Sequence, residues 1–296
     1  MERVGRHDSF FELGGHSLLA LKLLERMRAR GLAAQVRSLF LQPRLTDFAQ
    51  ALGGEQADAR PEVQVPPNGI PEDCTAITPA MLTLVALDAQ EIARIAAAVP
   101  GGAANIQDIY PLAPLQEGIL FHHMLHQQGD AYATPNLLSF DTRERLQGFV
   151  DSLNQVIARH DILRTAVLWE GLAEPVQVVW RKAQVVAEWV EVQAGADAAA
   201  QLHERLDPRV QRIEVRKAPM IRAVAAQDAP QGRWLLQLLT HHLVLDHTTL
   251  ERIVEEIGLI RQGRAHALPR PLPFRRFVAQ ARLGVSAREH EEFFRA

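Results

Sequence analysis

Histidine side chains, which can exchange protons near neutral pH, cluster in two short stretches of the chain. Residues 122–130 read HHMLHQQGD, and residues 241–247 read HHLVLDH. A histidine that emerges from an apolar strand can be held neutral at physiological pH, and it is then available as a base or a hydrogen-bond partner. An aspartate four residues after such a histidine could turn back and fix the loop through an arginine. Both stretches are therefore candidates for acid–base chemistry.

The same histidines have simpler interpretations. Histidine pairs are often structural or surface features, and His122 and His123 would also suit the end of a helix, where positive charge is favoured. A metal site would need a third ligand, and no cysteine supplies one in these stretches. Cys74 is the single cysteine, so an intramolecular disulfide and a cysteine-rich zinc module are both excluded. The sequence therefore predicts no metal ion.

A serine at the predicted start of a helix is the third candidate. Gly14 and Gly15 permit a tight turn, and Ser17 then takes the capping position of an amphipathic helix over residues 17–30. A phosphate ester on Ser17 would lie beside free N–H groups and the positive end of the helix dipole. For an isolated Gly-Gly-x-Ser, an ordinary serine cap is the simpler interpretation.

The elements that must position these side chains fall into two parts. Residues 1–53 are predicted to be small and helical, with short helices on either side of a break at Pro43. Residues 54–76 contain four of the 17 prolines and show neither a helical nor a strand period, so they are predicted to be a semi-stiff linker. From residue 77 onward an α/β pattern begins.

The α/β part alternates between helical and strand periods. Helices are predicted over 88–98, 115–127, 145–159 and 249–260, and strands over 136–141, 162–169, 174–180, 185–191 and within 233–246. The last of these strands is apolar on both faces, which is typical of the middle of a covered sheet. Residues 261–296 are predicted to be helices that lead onward.

Composition bounds the class of protein. A chain of 296 residues with 47% hydrophobic and 23% charged residues can form one large globular domain or two smaller ones. Its formal net charge of −3 argues against a nucleic-acid surface. No apolar run approaches the ~18 residues of a membrane span, and the N-terminus lacks the apolar core of a signal peptide. A cytoplasmic location is therefore predicted, which the lone cysteine also fits.

The string FFELGGHSLLA resembles the thiolation motif of peptidyl carrier domains in non-ribosomal peptide synthetases. The resemblance implies 4′-phosphopantetheine attached covalently to Ser17 by a phosphopantetheinyl transferase. It also implies a small all-α bundle whose core includes Phe10, Phe11 and Leu13. Carrier domains are four-helix bundles with a long helix before the VGRHDSFF segment, so that first helix is expected to be absent here.

The string HHLVLDH resembles the HHxxxDG motif of condensation domains, which are related to chloramphenicol acetyltransferases. The resemblance implies that His242, with His241 beside it, serves peptide-bond formation. His242 would either deprotonate the attacking amine or orient it and stabilise the tetrahedral intermediate. Asp246 would have a structural role, with Arg159 or Arg164 as the candidate partner of its carboxylate.

Two further strings resemble the first two core motifs of the same family, namely IYPLAPLQEGILFH (109–122) and RHDILRTAV (159–167). Most of their residues are predicted to serve packing. His247 replaces the usual glycine and is interpreted as a capping or packing residue. The resemblance implies that residues 77–296 form an α/β, chloramphenicol-acetyltransferase-like N-terminal lobe with the start of the onward connection.

The string HHMLHQQGD resembles the extended motif HH[I/L]xxxxGD of dual epimerisation/condensation domains, with Met124 where Ile or Leu is usual. The resemblance implies removal of the α-proton of an aminoacyl or peptidyl thioester and its return on the other face. His122 and His242 are the first candidates for the base, with His123 in support. A condensation-only domain is the alternative. A stand-alone epimerisation domain is disfavoured, because HTTLER lacks the serine-tryptophan pair of that class.

Together the motifs imply a carrier–condensation didomain. Its partners would be an upstream adenylation domain, downstream carrier and adenylation domains, and peptidyl and aminoacyl thioester substrates. No nucleic acid, membrane, metal or redox cofactor is implied. Condensation domains have two lobes and the sequence accounts for one, so a non-catalytic carrier or docking fragment remains the rival hypothesis, and the chain resembles a piece of a longer assembly line.

Overall fold

A computed structural model describes residues 4–28, 30–32, 34, 36–54, 63–193 and 195–284 of the chain. The chain divides into two compact units, Met1–Glu62 and Val63–Ala296. The division falls inside the segment predicted to be a linker. None of the helices in the described ranges is long and apolar enough to cross a membrane.

Three helices are the regular elements described in the first unit. Its elements are α1 (Ser17–Arg28), α2 (Val36–Leu41) and α3 (Leu45–Gly54). Leu24, Leu39 and Phe48 lie in one buried cluster, because the helical spacing of apolar residues turns one side of each helix inward. The predicted small all-α unit, with its helix break at Pro43, is confirmed.

The segment before α1 packs against this cluster through aromatic rings. Phe10 is half-buried on the cluster and meets the ring of Phe11 edge-on at 5.2 Å between centroids. Leu13 lines an apolar cavity of about 250 Å³ on the same side. The predicted core position is confirmed for Phe10, whereas Phe11 and Leu13 are half-buried beside the cluster.

Two glycines make the turn that leads into α1. Gly14 has a φ of 88°, in the left-handed region that side chains disfavour. A Cβ on Gly15 would lie 2.3 Å from the carbonyl oxygen of Phe10, which accepts the Gly15 N–H at 2.9 Å. The predicted tight turn is therefore confirmed, and it needs glycine for a different reason at each position.

The second unit contains the α/β part of the chain. Its helices are α4 (Ala89–Ala98), α5 (Pro114–Leu125), α6 (Arg143–Arg159), α7 (Ala198–Arg205), α8 (His247–Arg261) and α9 (Arg275–Leu283). Its strands are β1 (Ile106–Pro111), β2 (Ala133–Phe140), β3 (Thr165–Leu168), β4 (Val176–Trp180), β5 (Ala187–Trp189), β6 (Ile221–Asp228) and β7 (Arg233–His241). The predicted strand over 162–169 opens with a 3₁₀ turn, and β1, β6 and α7 are additions to the predicted elements.

The strands form two sheets. One is antiparallel, in the order β1-β4-β3, and the other has the order β2-β7-β6-β5, in which only β5 and β6 run parallel. β7 lies inside the larger sheet and its last seven residues are buried, which confirms the covered strand predicted within 233–246. Helices α6 and α8 share one hydrophobic core with this sheet, and α4 shares a second core with the smaller sheet. The core under β7 is what holds its C-terminal end in place.

Part of the segment predicted to be a linker belongs to the second unit. Ile70 and Cys74 are buried in the core of α4 and the smaller sheet. The side chain of Asn68 donates to the main-chain oxygen of Gln107 in β1 at 2.8 Å. Asn68, Ile70 and Cys74 therefore attach this segment to the sheet, although residues 63–76 form neither helix nor strand.

Helix α9 is fixed to the strand that precedes α5. The guanidinium of Arg275 binds the carboxylate of Asp108 at 2.6 Å, and both side chains are buried. At the other end of α9, Arg282 donates to the main-chain oxygen of Leu112 at 2.6 Å. These contacts hold the chain on either side of Tyr110, just before α5 begins, and α5 carries His122 and His123.

The loop between α5 and β2 depends on Gly129. Its φ is 69°, and a Cβ there would lie 2.3 Å from the carbonyl oxygen of Arg209. The next residue, Asp130, donates its N–H to the oxygen of Pro208 at 2.7 Å. Only glycine can occupy this position without displacing the 208–209 backbone, so the placement of Asp130 depends on it.

We predict that Gly129→Ala lowers the free energy of unfolding of the second unit by at least about 2 kcal/mol, because it adds a steric clash to the cost of a left-handed alanine. The measurement is urea unfolding followed by tryptophan fluorescence. All four tryptophans (169, 180, 189 and 234) lie in the second unit, so the signal reports on that unit alone.

The matched control is Gly118→Ala in α5, where an added Cβ meets no atom within 4 Å. This change should leave stability unaltered or raise it by up to about 1 kcal/mol, because alanine favours helix. Equal urea midpoints for the two variants would contradict the role given to Gly129.

Candidate active site

The pairing of β2 with β7 separates the two histidines of HHLVLDH. His241, the last residue of β7, pairs with Ala133, and the N–H of His242 extends the pairing by donating to the oxygen of Tyr132 at 2.9 Å. Consecutive residues of a strand point to opposite faces of a sheet. His241 is accordingly 0% exposed, whereas His242 is exposed on the other face.

On the inner side, His241, Asp130 and His123 form a buried triad. One carboxylate oxygen of Asp130 accepts hydrogen bonds from Nδ1 of His123 at 2.8 Å and from Nε2 of His241 at 3.0 Å. The other oxygen accepts the main-chain N–H of Tyr132 at 3.0 Å. The triad thereby ties the C-terminal turn of α5 to the end of β7.

The proton on His241 can be assigned from its neighbours. The N–H of Leu243 donates to Nδ1 of His241 at 3.1 Å, so Nδ1 is unprotonated and Nε2 carries the proton given to Asp130. Burial lowers the pKa of His241 despite the nearby carboxylate, which favours this neutral form. The ligand atoms of the triad lie within 4.8 Å of one another. The nitrogens of His123 and His241 lie 2.8 and 3.0 Å from the same oxygen of Asp130, which are the distances of direct hydrogen bonds, so the contacts describe a hydrogen-bond network.

The carboxylate of Asp130 is ionised in this network. Burial alone would raise its pKa, but the hydrogen bonds from His123 and His241 outweigh burial and hold the pKa of Asp130 well below its usual value. An ionised carboxylate makes stronger hydrogen bonds than a neutral acid. The triad is therefore a rigid support for the adjoining loop.

On the open side, two histidines are neighbours of Tyr132. His242 brings its Nε2 to 3.2 Å from the hydroxyl oxygen of Thr134. The ring of His122, which is exposed, lies 6.0 Å from the ring of Tyr132 between centroids. These two imidazoles are accessible to a substrate, in contrast to His123 and His241.

Asp246 begins α8 instead of meeting an arginine. Its carboxylate accepts the N–H of Thr249 at 2.7 Å, which caps the helix. Burial raises its pKa, but the hydrogen bonds from Thr249 outweigh burial, so the pKa of Asp246 is lowered. His247 is the first residue of α8 and is exposed, and its Nε2 lies 3.6 Å from Oε1 of Glu251. The structural role predicted for Asp246 thus takes the form of a helix cap.

The predicted pairing of Asp246 with Arg159 or Arg164 is wrong, since both arginines have other partners among the described residues. Arg159 binds the carboxylate of Glu256 at 3.0 Å. Arg164 is buried and donates to the main-chain oxygen of Ile157 at 3.1 Å. Both arginines therefore tie α6 to its surroundings, away from the cap of α8.

Gln116 is a site residue that the sequence reasoning missed. Its side-chain amide donates to the oxygen of Leu243 at 2.8 Å and shares a 3.0 Å contact with the side chain of Gln177. Its own oxygen accepts the N–H of Ala113 at 3.0 Å. The signal available in the sequence was a polar residue inside the apolar string after Pro114. Gln116 connects the start of α5 to the loop that follows His242.

Ser17 is the first residue of α1 in the first unit. Ala20 donates its N–H to the oxygen of His16 at 2.9 Å, so His16 takes the capping position that was predicted for Ser17. A Cβ on Gly14 would meet no atom within 4 Å, which leaves open space on the approach to the helix. A phosphodiester on Ser17 fits this main-chain arrangement, because the first N–H groups of a helix lack partners within it.

Comparison with known proteins supplies two family matches. Residues 106–294 match the family model described as "Condensation domain", and residues 1–52 match "Phosphopantetheine attachment site". The chain is 47% identical over 296 residues to malpinin synthetase of Mortierella alpina, which covers 100% of the chain and 4% of that relative. It is 26% identical over 299 residues to surfactin synthase subunit 2 of Bacillus subtilis (strain 168), covering 99% of the chain and 7% of that relative. The chain thus spans less than a tenth of either relative.

Among solved structures, the fold is similar to the starter condensation domain of rhizomide synthetase RzmA. The TM-score is 0.50 at 20% identity, and the match covers 64% of this chain and 49% of that chain. A variant of the same domain in complex with C8-CoA gives a TM-score of 0.51 at 20% identity, covering 63% and 44%. At this level of identity the likeness concerns the fold.

We predict that Asp130→Asn lowers the free energy of unfolding of the second unit at pH 7 by about 2 kcal/mol, the size expected for hydrogen bonds to a charged group. In the folded protein the pKa values of Asp130 and His241 lie below their ordinary values of 3.8 and 6.5, so the unfolded chain binds more protons. The stability of the unchanged protein should therefore decline as the pH falls below 6.5, and again below 3.8. Asp130→Asn should flatten the second decline.

The measurement is urea unfolding by tryptophan fluorescence between pH 7 and 3. Asp151→Asn on the exposed side of α6 is the matched control, and it should keep the profile of the unchanged protein. A profile for Asp130→Asn as steep as that of the control would show that the carboxylate does not stabilise the fold.

Proposed function

Because the chain belongs to the condensation-domain family and carries a phosphopantetheine attachment site in its first unit, we propose that it works in non-ribosomal peptide synthesis and that its second unit forms amide bonds. The observation that carries this proposal is the placement of His242. It is exposed at the end of an inner strand, and its neighbour His241 is fixed from behind by the buried triad. An imidazole held in this way can act on a substrate without moving the core.

The proposed reaction joins an amine to an acyl thioester. The amine nitrogen attacks the thioester carbonyl, the C–N bond forms, the C–S bond breaks, and the amine proton passes to the departing sulfur. His242 serves this reaction by taking the amine proton or by orienting the amine toward the carbonyl. The exposed imidazole is suited to both roles. Both roles predict that removal of the imidazole lowers the rate of amide formation.

Ser17 is the residue proposed to hold the cofactor. The 4′-phosphopantetheine arm supplies a flexible thiol on which an acyl group can be carried as an activated thioester. Ser17 at the start of α1 would bind its phosphodiester, and the unpaired N–H groups of the first helical turn would favour the negative charge. An upstream adenylation domain, downstream carrier and adenylation domains, and a phosphopantetheinyl transferase are the partners that this role requires.

We also propose that the second unit epimerises the carried residue before condensation. Reversible removal of an α-proton needs an accessible base, and His122 and His242 are both exposed neighbours of Tyr132. His122 is the first candidate for the base that does not also serve condensation. His123 donates to Asp130 and would support the site without contacting the substrate.

A condensation-only domain is the second candidate, and one observation favours it. His123 and Asp130 are fully accounted for by their hydrogen bonds in the triad. Two residues of the extended motif thus have a structural role that requires no epimerisation. The two candidates therefore differ in whether the exposed imidazoles of His122 and His242 remove an α-proton.

Removal of the imidazole of His242 is expected to lower the rate of amide formation at least about 100-fold, which is the usual scale of acid–base assistance. The chain is loaded by a phosphopantetheinyl transferase with an acyl-pantetheine, and product formed with a soluble aminoacyl thioester is followed by mass spectrometry. His242→Ala should retain full loading, whereas Ser17→Ala should abolish loading.

His247→Ala is the matched control, since His247 is an exposed histidine five residues further along the same loop and helix start. It should form the product at the normal rate. Undiminished product from His242→Ala would refute the role given to His242, and loading of Ser17→Ala would refute the attachment site.

Epimerisation is expected to appear as exchange of the α-hydrogen. The chain is loaded with an L-aminoacyl pantetheine in deuterated water, and deuterium uptake and the D-isomer are measured by mass spectrometry and chiral chromatography. His122→Ala should slow the exchange at least about tenfold while amide formation continues. His126→Ala, another exposed histidine at the end of α5, should exchange normally. If the unchanged protein condenses without exchange, the domain is of the condensation-only type.

A further inference from the structure

We propose that Thr134 is a positioning residue whose hydroxyl group holds the imidazole of His242 in place during amide formation. This inference rests on the function proposed above. The observation behind it is the 3.2 Å contact between Oγ1 of Thr134 and Nε2 of His242. The two residues are 108 positions apart in the chain, so the contact depends entirely on how β2 pairs with β7.

Strand register brings the two side chains together. Thr134 pairs with Thr240 and Ala133 with His241, so Tyr132 lies opposite His242. Thr134 and His242 are therefore diagonal neighbours on one face of the sheet, a spacing that a histidine side chain can cross. A shift of one residue in this register would turn Thr134 to the other face.

The main chain of Thr134 is held independently of His242. Its oxygen accepts the hydroxyl of Thr240 at 3.3 Å and the side-chain amide of Asn136 at 3.4 Å. These contacts come from β7 and from β2 itself. The hydroxyl of Thr134 is consequently presented from a fixed backbone, which is what a residue that orients another side chain requires.

A hydroxyl suits this role because it both donates and accepts hydrogen bonds. When Nε2 of His242 is unprotonated, the hydroxyl can donate a hydrogen bond to it. When Nε2 carries a proton, the oxygen of the same hydroxyl can accept a hydrogen bond from it. Only the hydroxyl hydrogen has to rotate between the two states. The ring can therefore keep its position while a proton moves on or off, and a valine of the same shape could not do this.

The kinetic test uses three variants in the loaded full chain. Thr134→Val keeps the β-branched shape but loses the hydroxyl, and it should lower kcat for amide formation about tenfold with KM unchanged, the size expected for one neutral hydrogen bond. Thr134→Ser restores the hydroxyl and should recover most of the rate. Ser139→Ala removes an exposed hydroxyl from the same strand and should have no effect. A normal kcat for Thr134→Val would overturn the proposal.

A second test does not depend on activity. Nitrogen-15 NMR of the histidine rings, with the signals of His242 identified from His242→Gln, reports which ring nitrogen carries the proton. Thr134→Val should shift the Nε2 resonance of His242, and Thr134→Ser should keep it close to that of the unchanged protein. Equal Nε2 shifts in all three proteins would overturn the proposal. A chain that shows the shift but forms no amide would contradict the proposed function instead.

Discussion

The candidate active site depends on one buried carboxylate, that of Asp130. An ionised carboxylate away from water is costly unless its oxygens are paired, and here three donors meet it, namely His123, His241 and the N–H of Tyr132. Two of these donors come from α5 and β7, and the third comes from the turn just before β2, so a single charge joins α5, β7 and the loop that leads into β2. The loss of any partner would leave a buried polar group unsatisfied, so each contact adds to the stability of the others.

This constraint explains why two similar histidine pairs have members with different roles. In the helical pair, the second residue, His123, turns inward to Asp130, and His122 stays exposed. In the strand pair, the first residue, His241, turns inward and His242 stays exposed. A strand separates consecutive side chains by half a turn and a helix by about 100°, so either element can place one histidine inside and one outside. Both pairs have the same sequence, HH, but the first histidine is accessible in the helical pair and the second is accessible in the strand pair.

The parts of the fold that could be predicted are those with a strong local period. Helices α1, α6 and α8 follow from apolar residues three and four apart, and β7 from its apolar run. β6 escaped prediction because IRAVAAQD is rich in alanine, a poor strand former, so its pairing with β7 decides its structure. The partners of the site residues could not be predicted for a similar reason, because they too are set by contacts between distant parts of the chain. Asp130 and His241 are 111 positions apart, and the choice between Glu256 and Asp246 as the partner of Arg159 depends on helix packing that no local pattern encodes.

The same geometry limits what the extended motif implies about chemistry. Gly129 is needed because the backbone of Arg209 passes within reach of any Cβ, and Asp130 and His123 are needed to hold His241. Each of these requirements concerns the support of the end of β7 beside His242, which the proposed amide formation would need with or without epimerisation. A domain that also epimerises its substrate would therefore have to differ from a condensation-only domain at residues outside the triad. On the open face next to Tyr132, the exposed imidazole of His122 is the one that amide formation does not require, so a difference between the two types of domain is expected there.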